Sequence, residues 1–223
     1  MDSRSMLFWN VDTQNDFIEP SGKLYVKDAE LLKPVWAEIT KFAQRHKIRV
    51  INTADYHFIN SAEIDETPDF VNTFPPHCLA ETTGSEFIRE TNPTDPMVFN
   101  WDKSYDLMAL SVDLPNYRNI VIRKDAFDVF EGNRITEPLL QILKPEVVVV
   151  YGVTTNICVD SAVKGLKKHV KKVVVLTDAI KEIPDLPLPF KTWKKLGVRM
   201  LTFSELINFL GKLKFPCGKS FKA

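Results

Sequence analysis

Short apolar runs rich in Val and Ile alternate along this chain with stretches whose apolar positions recur at helical spacing. Met6–Val11 is the first run, and after it Leu31, Val35, Ile39 and Phe42 mark one face of an amphipathic helix. Asp28 is its expected N-cap, and Pro34 must lie near its first turns, where a missing N–H costs nothing, or kink it. The second and third runs are Ile48–Asn52 and Asn119–Arg123, with a short helix at Glu137–Leu143. Val147–Tyr151 leads into a helix over Ile157–His169, and Val173–Leu176 into one over Phe190–Leu196. Val198–Leu201 is the sixth run, followed by a last helix, Ser204–Lys212, that Ser204 is placed to cap.

Runs apolar on both faces imply strands covered on both sides, and intervening helices imply right-handed parallel crossovers. The expected fold is a single α/β domain over residues 1–223, a doubly wound three-layer sandwich with a six-stranded, mainly parallel sheet. Residues of about 58–118 are weakly periodic and proline-punctuated, and are expected to form an irregular loop or lid region. Within it, Pro93–Asn116, with Trp101, Tyr105 and Tyr117 in or beside it, is expected to cover a pocket or form a subunit contact. Sheets of this kind bind ligands beyond the carboxyl ends of their strands. That rule selects Asp12–Phe17, Thr53–His57, Lys124–Phe127, Gly152–Cys158 and Thr177–Asp178.

Composition narrows the function classes. The 223 residues carry 29 basic and 29 acidic side chains, a balance that lacks the footprint of a nucleic-acid binder. The one basic cluster, Lys164, Lys167, Lys168, His169, Lys171 and Lys172, reads as a solvated helix end. No stretch approaches the roughly 20 apolar residues that span a bilayer, and the N-terminus, MDSRSMLFWNVD, has no signal-like apolar core. Three cysteines, Cys78, Cys158 and Cys217, are too few and too scattered for a disulfide framework. The expectation is a cytoplasmic protein with reduced thiols and no nucleic-acid or membrane partner.

Chemistry gathers at the selected strand ends. Asp12 closes the first strand, where partial desolvation suits a carboxylate to general-base work, the alternative being that Asp12 or Asp16 caps the following turn. Asp55 and His57 are two apart in extended chain, so their side chains point the same way. His77 is held by the stiff Pro75-Pro76 pair, and Glu63 lies between the two histidines in sequence. Two imidazoles and one or two carboxylates suit Zn²⁺, Fe²⁺ or Mn²⁺. Arg123 and Lys124 point to opposite faces, so only one enters the cleft. Gly152-Val-Thr-Thr-Asn-Ile-Cys158 permits a tight strand-to-helix turn, with Cys158 in the first helical turn. Backbone N–H groups there favour a thiolate and an oxyanion, so Cys158 is a nucleophile candidate by position. Cys78 and Cys217 have no such setting.

Val11-Asp12-x-Gln14-Asn15-Asp16-Phe17, Lys124 after the third strand and Gly152-Val153-Thr154-Thr155-x-x-Cys158-Val159 together resemble the isochorismatase-like cysteine hydrolases. Asp55-x-His57 and Pro75-Pro76-His77-Cys78 are similar to the nicotinamidase (pyrazinamidase) branch, which serves NAD salvage. The resemblance runs from about Met6 to Leu210. It implies a catalytic Asp12, Lys124 and Cys158, an oxyanion hole from the N–H groups of Thr154 and Cys158, and a cis peptide between Val153 and Thr154. It further implies a metal on Asp55, His57 and His77, with Glu63 either a fourth ligand or the holder of a bound water, and most readily zinc, with iron or manganese as alternatives. Phe17, Phe74 and Val153 fall at substrate-contact positions. The implied reaction is hydrolysis of nicotinamide to nicotinate and ammonia through a Cys158 thioester, and the family commonly self-associates. The chain departs from the branch in having Phe74 where many members have Trp, Glu63 where many have His, and Asp125–Phe130 in place of a Tyr-Ser pattern. The second reading is another small-amide cysteine hydrolase, acting on a carbamoyl or ureido compound. A metallohydrolase with metal-bound water as nucleophile is a different class, in which Cys158 only packs.

Overall fold

The computed structural model describes residues 5–212, so Cys217 lies outside the described residues. The strands are β1 (Met6–Val11), β2 (Arg49–Asp55), β3 (Met97–Phe99), β4 (Asn119–Lys124), β5 (Val147–Val153), β6 (Lys172–Lys181) and β7 (Arg199–Leu201). They form one sheet in the order β3-β4-β2-β1-β5-β6-β7, and every pairing is parallel. The doubly wound α/β class is as expected, but among the described residues the sheet has seven strands, not six. The addition, β3, is a three-residue edge strand inside the stretch read as irregular, with Val98 turned outward. So short a segment leaves no apolar run to detect.

Alternation along the central strands divides the core into two layers. Leu7, Trp9 and Val11 of β1 and Val148 and Val150 of β5 face one cluster, together with Val159, Ala162, Val163 and Leu166 of α6 (Cys158–His169). Met6 and Phe8, with Val147, Val149, Tyr151 and Val153, face the other. There they meet Trp36, Ile39 and Ala43 of α2 (Lys33–Arg45) and Phe203, Leu206 and Leu210 of α8 (Phe203–Lys212). Burying side chains of this size stabilises the fold by about 1.5–3 kcal/mol each. Shorter helices complete the layers: α1 (Asn15–Ile18), α3 (Leu107–Asp113), α4 (Val129–Gly132), α5 (Thr136–Leu143) and α7 (Phe190–Lys195).

Two helix starts differ from expectation. Asp28 takes a left-handed φ of 63° before a 3-10 turn at Ala29–Leu32 and makes no side-chain cap. Pro34 does lie in the first turn of α2. The last helix is capped by Thr202 rather than Ser204: Thr202 Oγ1 accepts the Glu205 N–H at 3.2 Å, and Glu205 accepts the Thr202 N–H at 2.7 Å. This reciprocal pair satisfies two helix-end donors at once.

The sheet order reverses at β1, which has β2 on one side and β5 on the other. A crevice therefore opens beyond the carboxyl ends of these strands. Gly152 permits their close approach. It has a φ of 120°, and a Cβ there would stand 2.0 Å from the Val11 carbonyl oxygen. Residues 93–116 pack on the β4 side, with Leu110 and Leu114 in the core and Trp101 Nε1 donating to the Tyr56 carbonyl at 3.0 Å. Among the described residues the helices include none long and apolar enough to cross a membrane.

Candidate active site

The segment after β1 is a scaffold of buried amides and carboxylates. Gln14 donates to the carbonyls of Asp55 and Ser85 and accepts the Asp55 N–H, each at 2.8 Å, which ties the end of β1 to the end of β2. Asp16 accepts the N–H groups of Lys23 (3.0 Å) and Cys78 (2.7 Å). The His57 N–H in turn donates to the Cys78 carbonyl and the Ala80 N–H to the His57 carbonyl. This strap brings the two imidazoles together, with ring centroids 4.9 Å apart.

Asp12 ends β1 with a φ of 48° and is fully buried. Its Oδ1 accepts the Thr53 hydroxyl at 2.6 Å, while Oδ2 has the Lys124 ammonium 3.1 Å away. Lys124 also donates to Asp55 Oδ1. The choice between the two basic residues of β4 is resolved: Lys124 enters the cleft, while Arg123 stacks on Tyr56 at 3.9 Å and donates to Asn100 at 3.0 Å. Cys158 is the first residue of α6, with its Sγ and one oxygen each of Asp12 and Asp55 all within 4.8 Å of one another. The Val153–Thr154 peptide is cis, as the resemblance implied. Among the described residues, the N–H groups of Thr154 and Cys158 donate to no protein group, whereas those of Thr155, Ile157 and Val159 are all engaged. Two uncommitted N–H groups beside a thiol are what an oxyanion requires.

Burial dominates the electrostatics. It raises the Asp12 carboxyl, with the Lys124 ammonium opposing and Asp55 adding to the rise. It would raise Asp55 as well, but there Lys124 and the two imidazoles win and hold the group well below its ordinary value. Burial opposes the Lys124 charge, yet the Asp12 and Asp55 carboxylates keep it protonated well above the usual lysine range. It also pushes the Cys158 thiol well up, against Lys124 and with Asp12 and Asp55. The resting thiol is therefore neutral, and its proton must be removed as the sulfur attacks.

Beside the triad stand Asp55, His57 and His77, whose ligand atoms also lie within 4.8 Å of one another. Asp55 Oδ2 is 3.6 Å from His77 Nε2 and 3.9 Å from His57 Nε2, and Glu63 Oε2 is 3.9 Å from His57 Nε2. These separations are long for hydrogen bonds. They match donors arranged around one ion at about 2.1 Å, which stand about 3–4 Å apart. His57 Nε2 is buried with no hydrogen-bond partner, the state expected of a nitrogen awaiting a metal. Its Nδ1 pairs with Asp125 at 2.9 Å, and His77 Nδ1 with the Pro75 carbonyl at 2.8 Å. Burial would lower the His57 ring, but the Asp125 and Asp55 carboxylates raise it to about 9. Burial and the Asp55 charge raise Glu63, whose Oε1 accepts the Phe127 N–H at 2.6 Å. The residues fit a divalent metal.

Phe17 and Phe74 line the cleft with Cys158 and Thr154, and both rings lie against His77, at 5.4 and 6.2 Å. Val153 is fully buried, its side chain in the core layer shared with Tyr151. Residues 93–116 contribute none of the described lining. The sequence pattern did not point to Ser61 or Ile183, and within the selected strand-end segments it gave no role to Thr53, Asp125, Phe127 or Ile157. Asp125 had one available signal, its position immediately after the lysine at a strand end.

A model of the isochorismatase domain matches residues 106–188, a segment holding Lys124, Val153, Thr154 and Cys158 but neither Asp12 nor the metal-site residues. Over 77 residues, 34% of its length, the chain is 32% identical to the nicotinamidase/pyrazinamidase of Mycobacterium tuberculosis (strain ATCC 25618 / H37Rv), and the match spans 40% of that protein. The pyrazinamidase of Pyrococcus horikoshii, solved in complex with zinc, superposes with a TM-score of 0.67 at 22% identity, covering 89% of this chain and 99% of that one. N-carbamoylsarcosine amidase from Thermoplasma acidophilum gives 0.67 at 20% identity, over 91% and 96%. At these identities the two structures speak for the fold alone.

Proposed function

We propose that the chain is a member of the isochorismatase-like superfamily, a reading supported by the family match over residues 106–188 and by the nicotinamidase/pyrazinamidase relative, and that it is a cysteine amidohydrolase that cleaves nicotinamide to nicotinate and ammonia. The observation that carries the reading is the juxtaposition of Cys158 with Asp12 and Lys124 beneath two uncommitted N–H groups.

Asp12, held by Thr53 and Lys124, takes the thiol proton as Cys158 Sγ attacks the amide carbonyl. The N–H groups of Thr154 and Cys158 hold the developing oxyanion. Protonated Asp12 then gives the proton to the departing nitrogen, ammonia leaves, and a thioester remains on Cys158. In the second half Asp12 takes a proton from water as its oxygen attacks the thioester, and the returning proton restores the thiol. Lys124 keeps its charge throughout and offsets the two buried carboxylates. Asp55, His57, His77 and Glu63 would hold the metal, which when bound supplies a Lewis-acid contact for a ring nitrogen, with zinc the first candidate and iron or manganese next. Phe17 and Phe74 favour a flat ring between them. The nicotinamidase relative supports this substrate, and the donor set beside the triad favours it over a carbamoyl or ureido compound. The same reading puts the enzyme in the cytoplasm and in NAD salvage, as a self-associating protein without nucleic-acid partners.

Ammonia release from nicotinamide by metal-replete protein tests the substrate. Release at ordinary enzymatic turnover supports it. No release from folded, metal-loaded protein, with release from a ureido or carbamoyl amide, overturns nicotinamide and leaves the amidohydrolase mechanism.

A further inference from the structure

Both candidate imidazole ligands present Nε2 to the donor cluster, and each therefore needs its Nδ1 fixed from behind. His77 is fixed by a backbone carbonyl, that of Pro75. His57 is fixed by a side chain: Asp125 Oδ1 lies 2.9 Å from Nδ1, and the Ser61 hydroxyl donates to the same oxygen at 2.5 Å. As a metal ligand the ring would be neutral with its proton on Nδ1, donating to Asp125 and leaving a lone pair on Nε2, the buried atom that has no hydrogen-bond partner. A carboxylate behind an imidazole both selects that tautomer and strengthens the nitrogen as a ligand.

The neighbours of Asp125 extend the pattern. Lys124 contacts Asp55, Asp125 contacts His57, and the Phe127 N–H contacts Glu63. The last residue of β4 and the turn that follows it thus touch three of the four donors. The turn is closed by the Asp125 N–H on the Gly132 carbonyl at 3.3 Å, and a Cβ on Gly132 would stand 2.8 Å from the Ala126 nitrogen.

We propose that Asp125, steadied by Ser61, is a positioning residue of the metal centre that fixes the His57 ring as an Nε2 ligand. The proposal rests on the metal-site reading of Asp55, His57 and His77 and adds to it a residue that touches neither metal nor substrate. A bystander role is distinguishable, because a residue that only tethers the 58–61 loop to β4 would alter unfolding of the metal-free protein and leave metal affinity and spectrum alone.

The test is titration of metal-free protein with Zn²⁺ against a chromophoric chelator, and with Co²⁺ read by its visible absorption. Wild type, Asp125→Asn, Asp125→Ala and Ser61→Ala are compared, with circular dichroism and urea unfolding of each metal-free form. Asp125→Ala is expected to weaken zinc binding about 10–100-fold, Asp125→Asn by less because its amide oxygen still accepts from Nδ1–H, and Ser61→Ala least. At saturation the Co²⁺ bands of Asp125→Asn should be shifted from wild type. Wild-type affinity and spectrum in folded Asp125→Asn and Asp125→Ala would overturn the proposal while leaving the metal site in place. A wild-type protein that takes up neither ion would overturn the metal site and the proposal with it.

Discussion

At the scale of single residues, the site turns on Lys124. Its ammonium lies between Asp12 and Asp55, and Asp55 offers its second oxygen to the histidine cluster. One buried cation thus connects the proposed acid–base group to the proposed metal centre. Replacing it with Met leaves two buried carboxylates unpaired, and breaking such a pair costs about 3–5 kcal/mol. Lys124→Met should accordingly show a clearly lower urea midpoint, and an unchanged midpoint would contradict the ion-pair account. Thr53 acts on the other oxygen of Asp12. Thr53→Val removes a 2.6 Å hydrogen bond to that group, a contact worth about 1.5–3 kcal/mol when the acceptor is charged. If the bond serves the chemistry, kcat for amide hydrolysis should fall about 10–100-fold with KM little changed. A change confined to KM would assign Thr53 to substrate binding instead.

At the scale of elements, the close approach of β1 and β5 decides where Asp12 and Cys158 end up. Gly152→Ala would force a Cβ against the Val11 carbonyl at a φ that favours glycine. Backbone strain and overpacking each cost about 1–3 kcal/mol. The variant should unfold at markedly lower urea, and wild-type stability would show that the strands can separate there freely. That both strands are covered on two sides was foreseeable because Val147–Tyr151 and Met6–Val11 are apolar on both faces, a pattern that suits buried parallel strands. The edge strand β3 was not, since three residues with one side exposed carry no periodicity. Caps misled for a related reason. Ser204 and Thr202 are both plausible from residue type, and only the Glu205 carboxylate folding back on Thr202 distinguishes them.

At the scale of the whole molecule, the seven-stranded sheet converges its central strands on one crevice, where thiol, carboxylate, ammonium and metal donors meet. Lys124 could be told from Arg123 only through the family resemblance, but residues such as Asp12, Asp55 and Cys158 were legible because topology alone brings their strand ends together. Asp125, Ser61 and Thr53 were not, because their part is to hold side chains 68, 64 and 41 positions away, and no local pattern records such a partner. A ligand that binds only the folded state adds stability, about 2.7 kcal/mol at a hundredfold excess over its Kd. Zinc at that excess should raise the melting temperature of metal-free protein, and His77→Ala should lose the increment; equal shifts in both would place the ion elsewhere. The central claim is that the Cys158 sulfur is the nucleophile. The most direct measurement is amide hydrolysis by metal-loaded Cys158→Ala beside the wild type, with metal content confirmed in both. The account predicts a loss of about three orders of magnitude or more, as when the nucleophile of a catalytic triad is removed. A variant that keeps most of its activity would contradict it and make metal-bound water the attacking group.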